Sequence, residues 1–302
     1  MNKVSCAWLV ASALIMGDLQ PAAAQGAKFR HLVSMYVDDQ GASLNLPEGV
    51  ACGANGQVVI GDTGNDRLVR LTFLEKKVTG GSVIKIPELS APSRVQLNSK
   101  GEIYALDAKE RRIVHLGPEG GFKDVLAFEG APPPATFLLK AFAIDPADNI
   151  YALDAASGRV LVANPKGQFQ MALPFPSGIG FGSDLAVDAA GGVLLLDSIN
   201  RRMFFADKDA TSFATLGGDL TESLATMPTY LTTSKGSTFV VEGSGSRIVS
   251  FRRDGSFMAR QLTPGWSEGS LNHPSQMCIN DKDEVFIADR DNSRIQVFQL
   301  IR

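Results

Sequence analysis

Cysteine, histidine and tryptophan are all scarce in this chain, which contains three, three and two of them among 302 residues. No Cys-x-x-Cys-His segment is present, so the sequence offers no site for covalent haem. A Gly-x-Ser-x-Gly motif is also missing, and the glycine-rich stretch 178–183 precedes a predicted strand, not the helix that a phosphate-binding loop needs. We therefore assign no catalytic residue from the sequence.

An excess of positive charge is also missing, because the net charge is −3. Nucleic acid and anionic membrane surfaces are therefore not expected partners. Beyond the N-terminus no segment is apolar for 18 residues, so no membrane span is expected. The three histidines match the number in many catalytic zinc sites, but only His273 falls in a loop that leads into a first strand, whereas His31 and His115 fall on strands. We therefore expect no metal site and no cofactor.

Residues 1–24 have the pattern of a cleavable secretory signal peptide. Lys3 gives a basic start, residues 7–16 are apolar but too few to span a bilayer, and three alanines at 22–24 suit a cleavage site before Gln25. We expect the mature protein to be periplasmic or secreted. Residues 25–302 are then expected to form a single domain.

The rest of the chain is organised by a repeat that is first seen at residues 47–71. An apolar strand is followed by a Gly/Asn turn, then by a second apolar strand ending in an acid, and an arginine five positions later opens a third strand. The acids are 43 to 47 residues apart. The six pairs are Asp62/Arg67, Asp107/Arg112, Asp154/Arg159, Asp197/Arg202, Glu242/Arg247 and Asp289/Arg294. A strand-only repeat of this length predicts an all-β, six-bladed β-propeller.

One strand is needed from outside the repeats. The last repeat has only three predicted strands before Arg302, whereas earlier ones have a fourth, such as residues 82–86 in the first. Residues 28–37 form a predicted strand that belongs to no repeat. We expect this strand to pair with the last blade and close a ring of four-stranded antiparallel blades, because closure removes the exposed edges.

The repeat resembles the NHL repeat. The pattern Pro-x-Gly-[Val/Ile]-Ala, a Gly/Asn turn, an apolar strand ending in Ala/Gly-Asp, and Asn-x-Arg-[Ile/Leu] reads PEGVACGANGQVVIGDTGNDRLVRL in the first repeat, and the resemblance covers residues 46–300. Leu139 and Gly182 replace the proline in repeats three and four. The resemblance implies a propeller fold. It does not specify an activity, since such proteins include RNA-binding modules, extracellular sensor domains and a peptide-amidating lyase whose metal histidines have no counterparts here.

The six acid–arginine pairs are predicted to be structural. Six nearly identical copies suit a repeated turn better than a site for one asymmetric ligand. We expect each acid to accept turn N–H groups and to pair with its own arginine.

Cys52 and Cys278 fall on the first strands of the first and last repeats, which become neighbours in a closed ring. A disulfide and two buried thiols are both open. The thiols are the favoured interpretation, because packed sheets lie about 10 Å apart.

Candidate binding residues are those that differ between repeats at one position. Two places after the repeat proline, the chain has polar or aromatic Arg94, Asp184, Tyr230 and Gln276 in four repeats. We predict that these four bind a ligand at the channel rim; the alternative is that they are solvated channel residues. Trp266 lies in a blade-to-blade loop that ends near His273, and this pair is predicted to anchor a partner or to cap a blade core.

The sequence thus favours an exported, non-catalytic propeller that binds a protein, peptide or glycan on its loop face. A metal-assisted lyase or lactone hydrolase with its site in the channel is the alternative. The oligomeric state stays open.

Overall fold

The computed structural model describes residues 28–218 and 220–302 and contains six four-stranded antiparallel sheets. Neighbouring sheets pack face to face in a ring, so the predicted all-β, six-bladed propeller is confirmed. The predicted signal peptide lies outside the described residues. In the part of the chain that is described, no helix has the length and hydropathy needed to cross a bilayer.

Each blade runs from an inner strand beside the channel to an outer strand. Blades 1 and 2 contain β2 (Gly49–Cys52), β3 (Gln57–Asp62), β4 (Arg67–Leu74), β5 (Lys77–Ile84), β6 (Pro92–Leu97), β7 (Ile103–Asp107), β8 (Arg112–Leu116) and β9 (Phe122–Val125). Blades 3 and 4 contain β10 (Leu139–Ile144), β11 (Ile150–Asp154), β12 (Arg159–Ala163), β13 (Phe169–Pro174), β14 (Gly182–Val187), β15 (Val193–Asp197), β16 (Arg202–Ala206) and β17 (Ala214–Leu216). Blades 5 and 6 contain β18 (Tyr230–Ser234), β19 (Ser237–Glu242), β20 (Arg247–Arg252), β21 (Phe257–Gln261), β22 (Pro274–Ile279), β23 (Glu284–Asp289), β24 (Arg294–Ile301) and, as the fourth strand, β1 (Lys28–Met35). Short 3₁₀ turns occur at Ala54–Gly56, Thr63–Asn65 and Arg290–Asn292.

The N-terminal strand closes the ring as predicted. β1 pairs antiparallel with β24, from Lys28 opposite Ile301 to Met35 opposite Ile295. Blade 6 therefore consists of three strands from one end of the described chain and one from the other.

The hydrophobic core is divided among the spaces between neighbouring blades. Second strands such as β7 and β15 are buried at every position, because a sheet lies against each of their faces. This explains why they read as continuous apolar runs and do not alternate. Between blades 6 and 1, for example, the rings of Phe73 and Phe286 pack edge to face with their centroids 5.4 Å apart.

The ring has two different faces. The loop face carries the turns between second and third strands and the incoming loops, by which we mean the loops that lead into the first strand of each blade. The hairpin face carries the other turns. On that face β5 begins at Lys77, earlier than predicted, because Glu75 and Lys76 form a two-residue hairpin with φ values of 50° and 63°. This hairpin could not be predicted from residue type, because neither Glu75 nor Lys76 is the glycine or asparagine that such turns favour.

A disulfide joins Cys52 on β2 to Cys278 on β22, so the favoured interpretation of two separate thiols was wrong. That interpretation used the separation of about 10 Å between packed sheet faces. The first strands converge on the channel, however, and there the two Cα atoms lie only 5.9 Å apart. The bond links blade 1 to blade 6 at the inner edge of the seam that β1 closes at the outer edge.

Candidate functional site

The four predicted rim residues come together where the first strands converge. We call Arg94, Asp184, Tyr230 and Gln276 the channel quartet; they come from blades 2, 4, 5 and 6. The register shifts by one residue at the start of the first strand in blades 2, 3, 4 and 6. Such β-bulges bend a strand and redirect its side chains. The bulge thus directs Arg94, Asp184 and Gln276, whereas Tyr230 in blade 5 lies on a strand without one.

Arg94 extends across the channel from blade 2 to blade 5. Its Nη2 donates to the carbonyl oxygen of Thr229 at 3.2 Å, and its Cζ lies 5.2 Å from the centroid of the Tyr230 ring. Its Nε lies 3.9 Å from Oδ1 of Asp184, which is too far for a hydrogen bond. Among the described residues, this buried Nε–H has no hydrogen-bond partner. The guanidinium is thus held in position while its Nε–H stays unpaired.

Asp184 is only 1% exposed, and burial raises its pKa to about 7, although the Arg94 guanidinium opposes the shift. Its Oδ2 accepts a hydrogen bond of 2.8 Å from the backbone N–H of Leu231, which links blade 4 to blade 5. Burial also raises the pKa of Tyr230 to about 12, so its phenol is neutral at pH 7. The quartet therefore contains one carboxyl group that changes charge near neutral pH.

Gln276 connects three blades. Its Oε1 accepts hydrogen bonds from the backbone N–H groups of Val50 at 3.1 Å and Val95 at 3.0 Å, and its Nε2 donates to the Val95 carbonyl oxygen at 2.8 Å. Gln276 is 1% exposed. Its side chain therefore supplies hydrogen bonds between blades 6, 1 and 2, whose first strands belong to separate sheets.

Asp184, Tyr230 and Gln276 are thus buried and are not solvated channel residues, whereas Arg94 is partly exposed. The polar atoms of the quartet are largely used to hold the inner ends of the blades together. The binding role of these four residues stays a prediction.

Trp266 and His273 lie elsewhere on the loop face. Trp266 is 81% exposed, so it does not cap a blade core. Its loop contacts the segment after β1, because the hydroxyl of Tyr36 donates to Glu268 at 3.2 Å. His273 is also exposed, and its Nδ1 lies 3.0 Å from Oδ2 of Asp291. Among the described residues, neither Trp266 nor His273 shares a hydrogen bond with the quartet.

The six repeated acids are fully buried, and beside their predicted structural role they make one contact that sequence reasoning missed. In every blade the acid accepts a backbone N–H from the incoming loop of its own blade; Asp62 accepts from Asn45 at 2.7 Å, for example. The predicted pairing with the blade's own arginine is confirmed in blades 1, 3 and 6. Among the described residues the pairing is not formed in blades 2, 4 and 5, so the prediction was wrong there. In blade 2, Arg112 instead donates to the carbonyl oxygen of Glu88 at 2.8 Å. A backbone contact of this kind leaves no side-chain pattern in the sequence.

The remaining histidines do not converge with the channel. His115 stacks on Tyr104 with ring centroids 4.2 Å apart, and its two ring nitrogens face Glu102 and Asp124 at 3.3 Å each. His31 lies edge to face against Phe298. Within residues 28–218 and 220–302, no group of three or more His, Cys, Asp or Glu side chains is arranged to hold a metal ion.

A cavity of about 530 Å³ opens on the opposite, hairpin face. It is formed by the turns of blades 2 to 5, with Ile144, Val187 and Phe205 in its wall and Lys235 and Arg253 near its edge. Sequence reasoning missed it because these turns use the same residue types as those of blades 1 and 6.

The comparisons with known proteins agree with the fold. Residues 271–298 match the NHL repeat. No curated protein matches the chain. Among solved structures, a streptogramin B lyase has a TM-score of 0.63 at 12% identity, covering 92% of this chain and 99% of that chain. The PQQ-bound aldose sugar dehydrogenase from Streptomyces coelicolor has a TM-score of 0.64 at 15% identity, covering 93% and 100%. A putative gluconolactonase has a TM-score of 0.63 at 16% identity, covering 91% and 92%.

These identities establish similarity of fold alone, and activities differ among proteins that share it. This chain is a six-bladed β-propeller whose last blade is an NHL repeat.

Proposed function

We propose that this protein is an exported, non-catalytic propeller that binds a protein, peptide or glycan on its loop face. The supporting observation is the distribution of exposed apolar side chains. Among the described residues, most of the large hydrophobic side chains that are exposed lie on the loop face. They are Tyr36, Val37, Leu46, Leu138, Phe181, Ile199, Met227 and Trp266.

The loops that carry Tyr36, Trp266 and Leu46 are joined by hydrogen bonds around the seam between blades 6 and 1. Tyr36 contacts the loop of Trp266 through Glu268. The backbone N–H of Leu46, in the loop that leads into blade 1, donates to Ser293 in the second-to-third turn of blade 6. An exposed tryptophan beside other apolar groups is typical of a surface that becomes covered by a partner. This seam surface is therefore where we expect the tightest contact.

The enzyme alternative is less well supported by the channel. A metal in the channel would need several oxygen or nitrogen ligands, and Asp184 is the one carboxylate of the quartet. Its Oδ2 accepts the N–H of Leu231 and its Oδ1 faces the cationic Arg94, so these residues do not fit a metal ion. A purified protein that retained one tightly bound metal ion per chain, lost in the Asp184→Asn variant, would favour the enzyme.

Site-specific photo-cross-linking tests the proposal. p-Benzoylphenylalanine is introduced at Trp266 or at Met227 on the loop face, and the cells that export the protein are irradiated. The matched controls are Phe122 and Phe257 on the hairpin face, which are each 43% exposed. We expect adducts of defined mass from the loop-face positions only, and mass spectrometry of the adduct identifies protein, peptide or glycan. Adducts from the control positions alone would contradict a loop-face partner.

Export is tested separately. The intact mass of the protein isolated from the periplasm or the medium should correspond to residues 25–302. A protein that stays inside the cell with residues 1–24 attached would contradict this part of the proposal.

A further inference from the structure

The propeller repeats each backbone position six times, so a copy that departs from the others can be recognised by its contacts. One such position precedes the third-strand arginine and has φ between 49° and 61° in all six blades. It is occupied by Asp66, Arg111, Gly158, Arg201, Ser246 and Ser293. Four of these side chains bond to the incoming loop of the next blade. Asp66, for example, accepts the backbone N–H of Ala91 at 2.9 Å.

Arg111 differs from these four residues. Its side chain is exposed, and among the described residues it has no hydrogen-bond or ion-pair partner. A guanidinium that is not used to join blades remains available for another contact.

A second position shows the same departure in the next blade. It directly precedes the quartet position and is occupied by Glu48, Ser93, Lys140, Ser183, Thr229 and Ser275. The four hydroxyl groups donate to backbone carbonyl oxygens, and Glu48 pairs with Arg290 at 2.9 Å. Lys140 again is exposed and lacks a bonded partner within the described part of the chain.

Both departures occur at the seam between blades 2 and 3, because Arg111 lies in the second-to-third turn of blade 2 and Lys140 lies on the first strand of blade 3. Partial loss of hydration lowers the pKa of Lys140, and repulsion from Arg94 and Arg111 lowers it further, while Asp184 and Glu48 act in the opposite direction. Those two acids already have partners. Glu48 pairs with Arg290. Asp184 accepts the N–H of Leu231, and its other oxygen faces Arg94. The channel mouth therefore holds two cations that its own carboxylates do not neutralise.

We propose that Lys140 and Arg111 form an oxyanion site at the channel mouth, and that it receives a carboxylate of a peptide partner. The inference rests on the proposed function and specifies the chemistry of the partner. Two cations suit a single carboxylate, and the net charge of −3 disfavours polyanions such as nucleic acid or highly sulfated glycans. Leu138 precedes Lys140 by two residues and is 36% exposed, so an apolar side chain beside the carboxylate would find a matching surface.

The test uses two acetylated peptides of sequence Ala-Leu-Phe, one with a free carboxylate and one with a terminal amide. Lysine side chains are labelled with ¹³C-methyl groups, which preserve their charge, and the Lys140 signal is assigned with a Lys140→Arg variant. We expect the acid to shift the Lys140 signal saturably and the amide to leave it unchanged. Arg111→Ala should raise the Kd by at least about fivefold, because it removes a charge-assisted hydrogen bond.

The matched control lies in the same turn. Lys109 already pairs with Asp66 at 3.2 Å, so Lys109→Ala should leave the Kd unchanged within about twofold, as expected for an exposed pair. Equal shifts from the acid and the amide, or an unchanged Kd in Arg111→Ala, would overturn the proposal. Equal shifts from sodium sulfate at the same concentration would overturn the assignment to a carboxylate. If loop-face photo-adducts form while this test fails, the binding function stands and only the carboxylate anchor is wrong.

Discussion

The disulfide between Cys52 and Cys278 should be a major contributor to stability. The two residues are separated by 226 positions, so the bond restricts nearly the whole unfolded chain. In the chain-entropy treatment, a loop of 226 residues corresponds to roughly 5 kcal/mol, and native disulfides usually contribute about 2–5 kcal/mol. We therefore expect Cys52→Ser/Cys278→Ser to lower the free energy of unfolding by about 2–5 kcal/mol.

Urea unfolding followed by circular dichroism measures this loss, because every blade contributes β-sheet signal. Each single serine variant should lose nearly as much as the double variant, since either change removes the same bond. Non-additivity of this kind distinguishes a cross-link from two independent packing effects. The oxidised protein without residues 1–24 should contain no free thiol when denatured. Equal urea midpoints for oxidised and reduced wild-type protein would refute the reasoning.

Further predictions concern the pairs, the quartet and the closing strand. Arg159→Ala should lower the free energy of unfolding by about 1–3 kcal/mol, because Arg159 is buried and bonds to Asp154 and to loop carbonyl oxygens. Arg202→Ala, at the same repeat position, should lower it by less, because Arg202 is exposed and forms no ion pair among the described residues. Equal losses for the two variants in urea unfolding would contradict this. Burial raises the pKa of Asp184 to about 7 in the folded protein, above its ordinary value of 3.8. The folded state therefore binds this proton more tightly than the unfolded chain, and the free energy of unfolding should fall by at most about 4 kcal/mol as the pH rises from about 4 to 7. The melting temperature should therefore fall with rising pH in the wild type but not in the Asp184→Asn variant. The same dependence of melting temperature on pH in both proteins would contradict this. Deleting residues 28–37 should abolish cooperative melting, because β24 would lose its partner strand; a soluble deletion variant with an unchanged melting temperature would refute this role.

Sequence reasoning predicted the architecture because each blade repeats the same local chemistry. The acid–arginine spacing located the second and third strands, and the unpaired strand at 28–37 together with the incomplete last repeat predicted the closure. These features follow from residue type and spacing alone.

The remaining features depend on where strands lie around the ring. To predict the disulfide, one would need the distance between first strands near the channel axis. That distance is shorter than the general spacing of packed sheets. The arrangement of the quartet depends on bonds between blades that are distant in the sequence, such as those from Gln276 to Val95. The proposed site at Lys140 and Arg111 depends on bonds that the equivalent residues of other blades form and these two do not.

The pairing of Lys28 with Ile301 also fixes the orientation of the protein on any support. Both residues lie at the hairpin-face end of blade 6, on the side away from Trp266 and the channel mouth. A bead, sensor surface or fusion partner joined after Arg302 would therefore cover the hairpin face and leave the loop face directed toward solution. Immobilisation through the C-terminus thus suits binding measurements on the loop face, whereas ligands of the hairpin-face cavity are better studied with the protein free in solution.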